Sequence, residues 1–194
     1  MAFDRRGLRN RVRRSYSAVA QDPAASHPFR VGRPLALEAG YPKDWLDSVP
    51  APSVDAFAGV SCVPCFATIP RGARILDLGC GAGLDAILVA GKASSVVGVD
   101  FSPEMLSRAR QSAGLVKATN VDFVEGDAEA VPLETASIDV TLINGIFNLN
   151  PAREEIFKEL ARVSRPGGVV FAAELVLKAP LPAEVRLTDA DWFS

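Results

Sequence analysis

The stretch that most constrains this chain lies at residues 75–85, Ile-Leu-Asp-Leu-Gly-Cys-Gly-Ala-Gly-Leu-Asp. Ile75 to Leu78 is a short apolar run that reads as a buried strand. Three closely spaced glycines follow it, and 84–90 is a good helix-forming segment. Glycine has no Cβ to hold a ligand off and tolerates positive φ, so bare backbone can approach a bound group here. A helix that begins after such a loop points free N–H groups into it. Strand, glycine turn and helix together predict a nucleotide-type cofactor site at the carboxyl end of a parallel strand. The spacing narrows the cofactor. A dinucleotide fingerprint, G-x-G-x-x-G, needs glycine at position 84, which is Leu84; the glycines are Gly79, Gly81 and Gly83, led by Asp77.

From residue 74 onward the chain alternates strand and helix. Strands are expected at 74–78, 95–99, 121–124, 138–143 and 168–177, and helices at 84–90, 103–112 and 151–163. Ser102 before Pro103 reads as an N-cap followed by proline at the first helical position, and Asn150-Pro151 repeats the arrangement. Arg165-Pro166-Gly167-Gly168 reads as a turn into the last strand. Such alternation argues for an α/β fold with a doubly wound, mostly parallel sheet. The strand ends then carry the chemistry. Asp100 stands seventeen positions after Gly83, where a carboxylate can accept from ribose hydroxyls. Asp127, in Glu125-Gly126-Asp127-Ala128, offers an acceptor for an adenine amino group, and strand four ends in Asn144-Gly145-Ile146-Phe147-Asn148-Leu149.

Upstream, residues 4–20 read as a helix rich in arginine (Arg5, Arg6, Arg9, Arg11, Arg13, Arg14), either a solvated basic face or a cap over a substrate or anion. Tyr16, Ala18, Val19 and Ala20 give it an apolar end that can dock. Residues 21–53, with six prolines, read as an irregular arm anchored by Leu35, Leu37, Tyr41 and Trp45, and a short helix is expected at 54–58. His27, the only histidine, has no sequence partner and reads as a surface residue. Cys62-Val63-Pro64-Cys65 can serve redox chemistry, bind a soft metal or pack as small apolar side chains; zinc would need two further ligands. The organisation expected is a cap and arm over 1–72, a cofactor-binding core over 73–178 and a short tail over 179–194. A net charge of -2 gives no pull toward nucleic acid or membrane, and three cysteines make no disulfide framework, so a reduced, cytoplasmic protein is expected.

Residues 74–177 resemble the class I S-adenosylmethionine-dependent methyltransferases, on Leu-Asp-Leu-Gly-Cys-Gly-Ala-Gly from Leu76, Gly-Val-Asp at 98–100, Glu-Gly-Asp-Ala-Glu-Ala-Val-Pro at 125–132, and Arg-Pro-Gly-Gly. The resemblance implies a Rossmann-like fold and S-adenosylmethionine as cofactor. Asp77, Gly79, Cys80, Gly81 and Gly83 would line its methionine end, Asp100 its ribose, and Asp127 and Ala128 its adenine, with Phe101 also a cofactor contact and Asn144 near the sulfonium. The flanks are similar to the arsenite methyltransferases: Gly40-Tyr41-Pro42 through Ser48-Val49-Pro50, a cysteine before strand one, and Asn144 to Pro151. Tyr16, in Ser15-Tyr16-Ser17, resembles the helix that covers the cofactor in that family. That implies Cys62 as a thiolate ligand of trivalent arsenic, with Cys65 available to replace a thiolate the family has and this chain lacks, Asn144 beside the acceptor, a small-molecule substrate and a thiol reductant. The chain departs from the family at Gly145, where a cysteine would stand, and at its tail, too short for the sixth and seventh strands expected of the class. Transfer to oxygen, nitrogen or carbon of another metabolite, or binding without turnover, are the alternatives.

Overall fold

The computed structural model describes residues 5–179, with side chains from residue 7. Five parallel strands form one sheet: β1 (Ala73–Leu78), β2 (Ala93–Asp100), β3 (Val121–Glu125), β4 (Ile138–Asn144) and β5 (Ser164–Ala173), in the spatial order β3-β2-β1-β4-β5. The order turns back at β1, which pairs with β2 on one side and β4 on the other. A crevice opens at such a switch point beyond the carboxyl ends of the strands.

Both faces of the sheet are covered, as the strand sequences demand. Ile75, Val96, Val140 and Phe123 join Leu106 and Ala109 of α7 (Pro103–Leu115) on one face. Leu76, Leu78, Val99 and Ile143 join Ile156, Leu160 and Val163 of α8 (Arg153–Val163) on the other. Successive side chains of a strand point to opposite faces, so β1 reads as an apolar run because both faces are buried. Each fully buried Leu or Ile contributes roughly 1.5–3 kcal/mol. Helix α7 starts as its sequence predicts: the Ser102 hydroxyl accepts from the Met105 N–H at 3.3 Å and Pro103 follows.

Several boundaries differ from the sequence reading. Helix α8 begins at Arg153, not 151, because the Asn150 side chain accepts from the Ala152 N–H at 2.8 Å and closes a turn first. Strand β5 begins at Ser164 and ends at Ala173, where 168–177 was expected. Arg165-Pro166-Gly167-Gly168 is a bulge inside the strand: Ile138 pairs with Ser164, but Val140 pairs with Val169. The arm over 21–53 is more regular than its prolines suggest. It holds α2 (Gly32–Glu38), α3 (Lys43–Ser48) and the start of α4 (Ala51–Asp55). Pro42 and Pro50 stand immediately before α3 and α4, positions where proline's missing N–H costs nothing and its fixed φ favours the turn. The helix expected at 54–58 is α4, shifted upstream by this proline start.

Helix α1 (Arg5–Gln21) and a one-turn helix α5 (Val63–Phe66) complete the N-terminal region; α6 (Leu84–Val89) follows the glycine loop. Ala36, Tyr41, Leu46, Val54, Phe57 and Cys62 pack on Leu84, while Val19 and Ala20 of α1 pack with Ala82 and Met105. No helix of the described residues is long and apolar enough to cross a membrane. Most of the tail expected over 179–194 lies outside the described residues, and with it any sixth or seventh strand.

Candidate functional site

A cavity of about 360 Å³ opens at the carboxyl ends of β1, β2 and β4, with α1 along one side. That volume is in the range of small-ligand sites. Tyr16, Asp77, Gly79, Cys80, Gly81, Asp100, Phe101, Asp127, Ala128 and Asn144 all line it, so ten residues singled out from sequence are brought together.

The glycine loop is built for close approach. Gly79 has φ +74° and donates to the Val99 carbonyl at 2.8 Å, and a Cβ there would run into Ile146. Gly81 has φ +51° with open space where its Cβ would be, and its N–H donates to Asp100 at 2.9 Å. The other Asp100 oxygen accepts from the Ser102 N–H at 2.8 Å. Burial raises the Asp100 carboxyl to about 6, against the pull of these N–H donors. Cys80 is buried and its thiol is pushed well up by burial and by the charges of Asp100 and Asp77, which makes it no nucleophile. Gly83 does not itself line the cavity, though its neighbours Ala82 and Leu84 do. It precedes α6 at φ +81°, and a Cβ there would sit 2.7 Å from the Phe123 ring. Its glycine serves turn and packing.

Asp77 accepts from the Ala86 N–H at 3.1 Å and is pushed well up, first by burial and then by the charge of Asp85. Asp85 lies in the first turn of α6 and also lines the cavity; burial raises it to about 6, opposed by hydrogen bonds from the Tyr41 hydroxyl and the Asn144 amide. Sequence reading missed Asp85 and Tyr41 as site residues. The signal was present, an acid directly after the glycine loop, but its partners lie far off in sequence.

Asn144 has its amide committed to the chain. Its oxygen accepts from the N–H groups of Val60 at 2.8 Å and Ser61 at 3.2 Å. Its nitrogen is shared among the Ser61 carbonyl at 2.7 Å, Asp85 at 3.0 Å and the Tyr41 hydroxyl at 3.1 Å. Tyr16 stands in the cavity wall against Phe29, ring centroids 5.0 Å apart. Burial and the charges of Asp100 and Glu174 raise its hydroxyl far enough that it stays a proton donor. Glu174, also missed, follows β5 and accepts from the N–H groups of Ile146 at 2.9 Å and Phe147 at 3.1 Å, pinning the loop after β4.

Two arginines of α1 meet protein carboxylates. Arg9 pairs with Asp127, and Arg13 reaches Glu125 at 3.4 Å, which lays the helix across the ends of β2 and β3. Cys62 and Cys65 form a disulfide, with Cα atoms 5.4 Å apart, where a reduced protein was expected by default, and neither lines the cavity. His27 is half-buried, and its ring nitrogen Nε2 bonds the Asp22 carbonyl at 2.8 Å. Among the described residues no cluster of three His, Cys, Asp or Glu side chains could hold a metal ion.

A glycine cradle with open space at Gly81, beside a buried acid at the end of β2, fits the nucleoside cofactor of the class. Fold and site define an S-adenosylmethionine-dependent methyltransferase domain of Rossmann-like architecture. A family profile described as a methyltransferase domain matches residues 69–192, and the chain belongs to that family. It is 38% identical over 151 residues to an arsenite methyltransferase of Halobacterium salinarum, covering 76% of this chain and 38% of the relative. It is 34% identical over 110 residues to a demethylmenaquinone methyltransferase of Shouchella clausii, covering 55% of this chain and 46% of the relative. Among solved structures, that of an arsenic(III) S-adenosylmethionine methyltransferase from Chlamydomonas reinhardtii superposes with a TM-score of 0.64 at 30% identity, over 72% of this chain and 50% of that one. The chain spans less than half the length of these two curated relatives.

Proposed function

We propose that this domain methylates trivalent arsenic held by Cys62 and Cys65, with S-adenosylmethionine as the methyl donor. The observation that supports the reading is local: Phe57, Ala58 and Gly59 line the cofactor cavity, and Cys62 follows Gly59 by three residues. The similarity to arsenic methyltransferases points the same way.

Arsenic(III) is soft and prefers sulfur, which suits a closely spaced cysteine pair. The disulfide must first be opened: two molecules of a thiol reductant become one disulfide, and Cys62 and Cys65 become two thiols. Arsenous acid then condenses with both thiols and loses two waters. When bound, the cofactor supplies an electrophilic methyl group on a sulfonium, which leaves as a neutral thioether. The protein's own residues align and shield. Gly79 and Gly81 let the backbone close on the cofactor, Asp100 takes hydroxyl donors, Tyr16 and Val12 of α1 keep water from one side, and Asn144 fixes the segment leading to Cys62. Arsenic carries a lone pair, so the acceptor needs no base. A reducing, cytoplasmic setting would provide the thiol.

One observation favours a second reading. Asp85, a cavity-lining carboxyl held at about 6, can take a proton, as transfer to a carbon or oxygen acceptor requires, and the similarity to a demethylmenaquinone methyltransferase keeps a non-arsenic acceptor in view. Arsenic speciation after incubation with arsenite, S-adenosylmethionine and excess thiol decides between them. Methylated arsenic, lost on Cys62→Ser, is the expected result. Inorganic arsenic alone, from protein that still binds S-adenosylhomocysteine, overturns the arsenic reading.

A further inference from the structure

The cofactor cavity and the cysteine pair are joined by a partly buried polar network whose members come from four separate parts of the chain. Asn144 ends β4, Asp85 opens α6, Tyr41 lies between α2 and α3, and Val60 and Ser61 precede Cys62. Asn144 and Asp85 are cavity-wall residues. From them two routes lead to sulfur. Through the backbone, Asn144 accepts from Val60 and Ser61 and donates to the Ser61 carbonyl, so its amide takes the place of a strand neighbour for the residues just before Cys62. There is no room for slack, because a Cβ on Gly59 would sit 2.7 Å from the Asn144 amide. Through side chains, Asp85 and Asn144 hold the Tyr41 hydroxyl, and the Tyr41 ring shares an apolar cluster with Phe57, Leu84 and Cys62.

We propose that Asn144 and Tyr41 are positioning residues that couple occupancy of the cofactor cavity to the placement and reactivity of the Cys62–Cys65 pair. This deepens the reading of these cysteines as the acceptor site, but it does not require arsenic to be the acceptor. A ligand that presses on Asn144 or Asp85 shifts the hydrogen bonds that define the path of 60–62. Because coupling between binding equilibria is reciprocal, a species held reversibly on the sulfurs changes cofactor affinity by the factor by which the cofactor changes its own. Asn144 is thus no isolated wall residue but the shared member of both sites.

The test reads thiol chemistry, not turnover. The pair is reduced, excess reductant is removed, and the alkylation rate of Cys62 and Cys65 by monobromobimane is measured with and without saturating S-adenosylhomocysteine, by mass spectrometry of the labelled peptide. Ligand should change the wild-type rate by roughly tenfold, a typical size for coupling between sites. In Asn144→Ala protein that still binds the ligand, the ratio should fall below about twofold. Tyr41→Phe, which keeps the ring and removes only the hydroxyl, should fall between. Equal rates with and without ligand in the wild type overturn the proposal. So does a wild-type ratio that survives in ligand-binding Asn144→Ala. Should Asn144→Ala fail to fold, an unchanged ratio in Tyr41→Phe is the overturning result. Loss of arsenic methylation with the coupling intact would sink the substrate reading and leave this one standing.

Discussion

Gly83 shows what a single residue of the glycine loop does. Its φ of +81° and the Phe123 ring 2.7 Å from a would-be Cβ make Gly83→Ala costly on two counts, strain and overlap. Together they should destabilise the protein by about 2–4 kcal/mol, read from urea midpoints. Phe123→Leu should restore part of the overlap cost and none of the backbone cost. The buried acids act through pH. Asp85 and Asp100 are each held at about 6, and Asp77 well above its ordinary value. Unfolded, an aspartate titrates near about 3.9. The folded state therefore binds protons more tightly, and the stability this brings is present in acid and lost as pH rises through about 6. For Asp100 alone the loss is on the order of 3 kcal/mol by about pH 8. The ligand-free protein should melt at a higher temperature at about pH 5 than at about pH 8. Asp139 and Glu159, held low by bonds from the Arg74 N–H and Arg162, work in the opposite sense, with losses at more acid pH still.

At the scale of elements, the segment at 60–61 depends on a side chain for its backbone partners. Asn144→Ala leaves the Val60 and Ser61 N–H groups and the Ser61 carbonyl without them, at about 1–3 kcal/mol for each group that stays buried. Hydrogen exchange at residues 60 and 61 should quicken by at least about tenfold, with the amides of β1 unchanged. This pattern also explains what sequence could carry. The β1–glycine–α6 unit was legible because each of its signals is local: an apolar run, three glycines and a helix former. Ser102 before α7 was legible for the same reason. Tyr41 and Asp85 are 44 positions apart and Asn144 and Asp85 59, so no spacing rule reaches them. The arm misled because proline marks both where a helix cannot continue and where one can start, and Pro42 and Pro50 do the latter. The bulge at Arg165-Pro166-Gly167-Gly168 was read as a turn because turn residues do not reveal that a strand resumes in register after them.

In the whole molecule, cap and sheet share their apolar contacts. Leu84 of α6 sits in the cluster of α2, α3 and α4, and Met105 of α7 in that of α1. With contacts of this kind the arm should not unfold ahead of the sheet. Far-UV circular dichroism and Trp45 fluorescence, followed in Trp192→Phe protein, should trace one coincident urea transition. Two separated midpoints would mean an arm that melts alone. The distribution of charge carries one more consequence. At the rim, Asp127 and Glu125 meet Arg9 and Arg13, while deeper in the cavity Asp77, Asp85 and Asp100 meet only neutral donors among the described residues. The interior is thus an anionic well beneath a neutralised edge. Once its methyl group has left, a sulfonium donor is one positive charge poorer, and such a well holds the spent by-product less firmly than the fresh donor that replaces it.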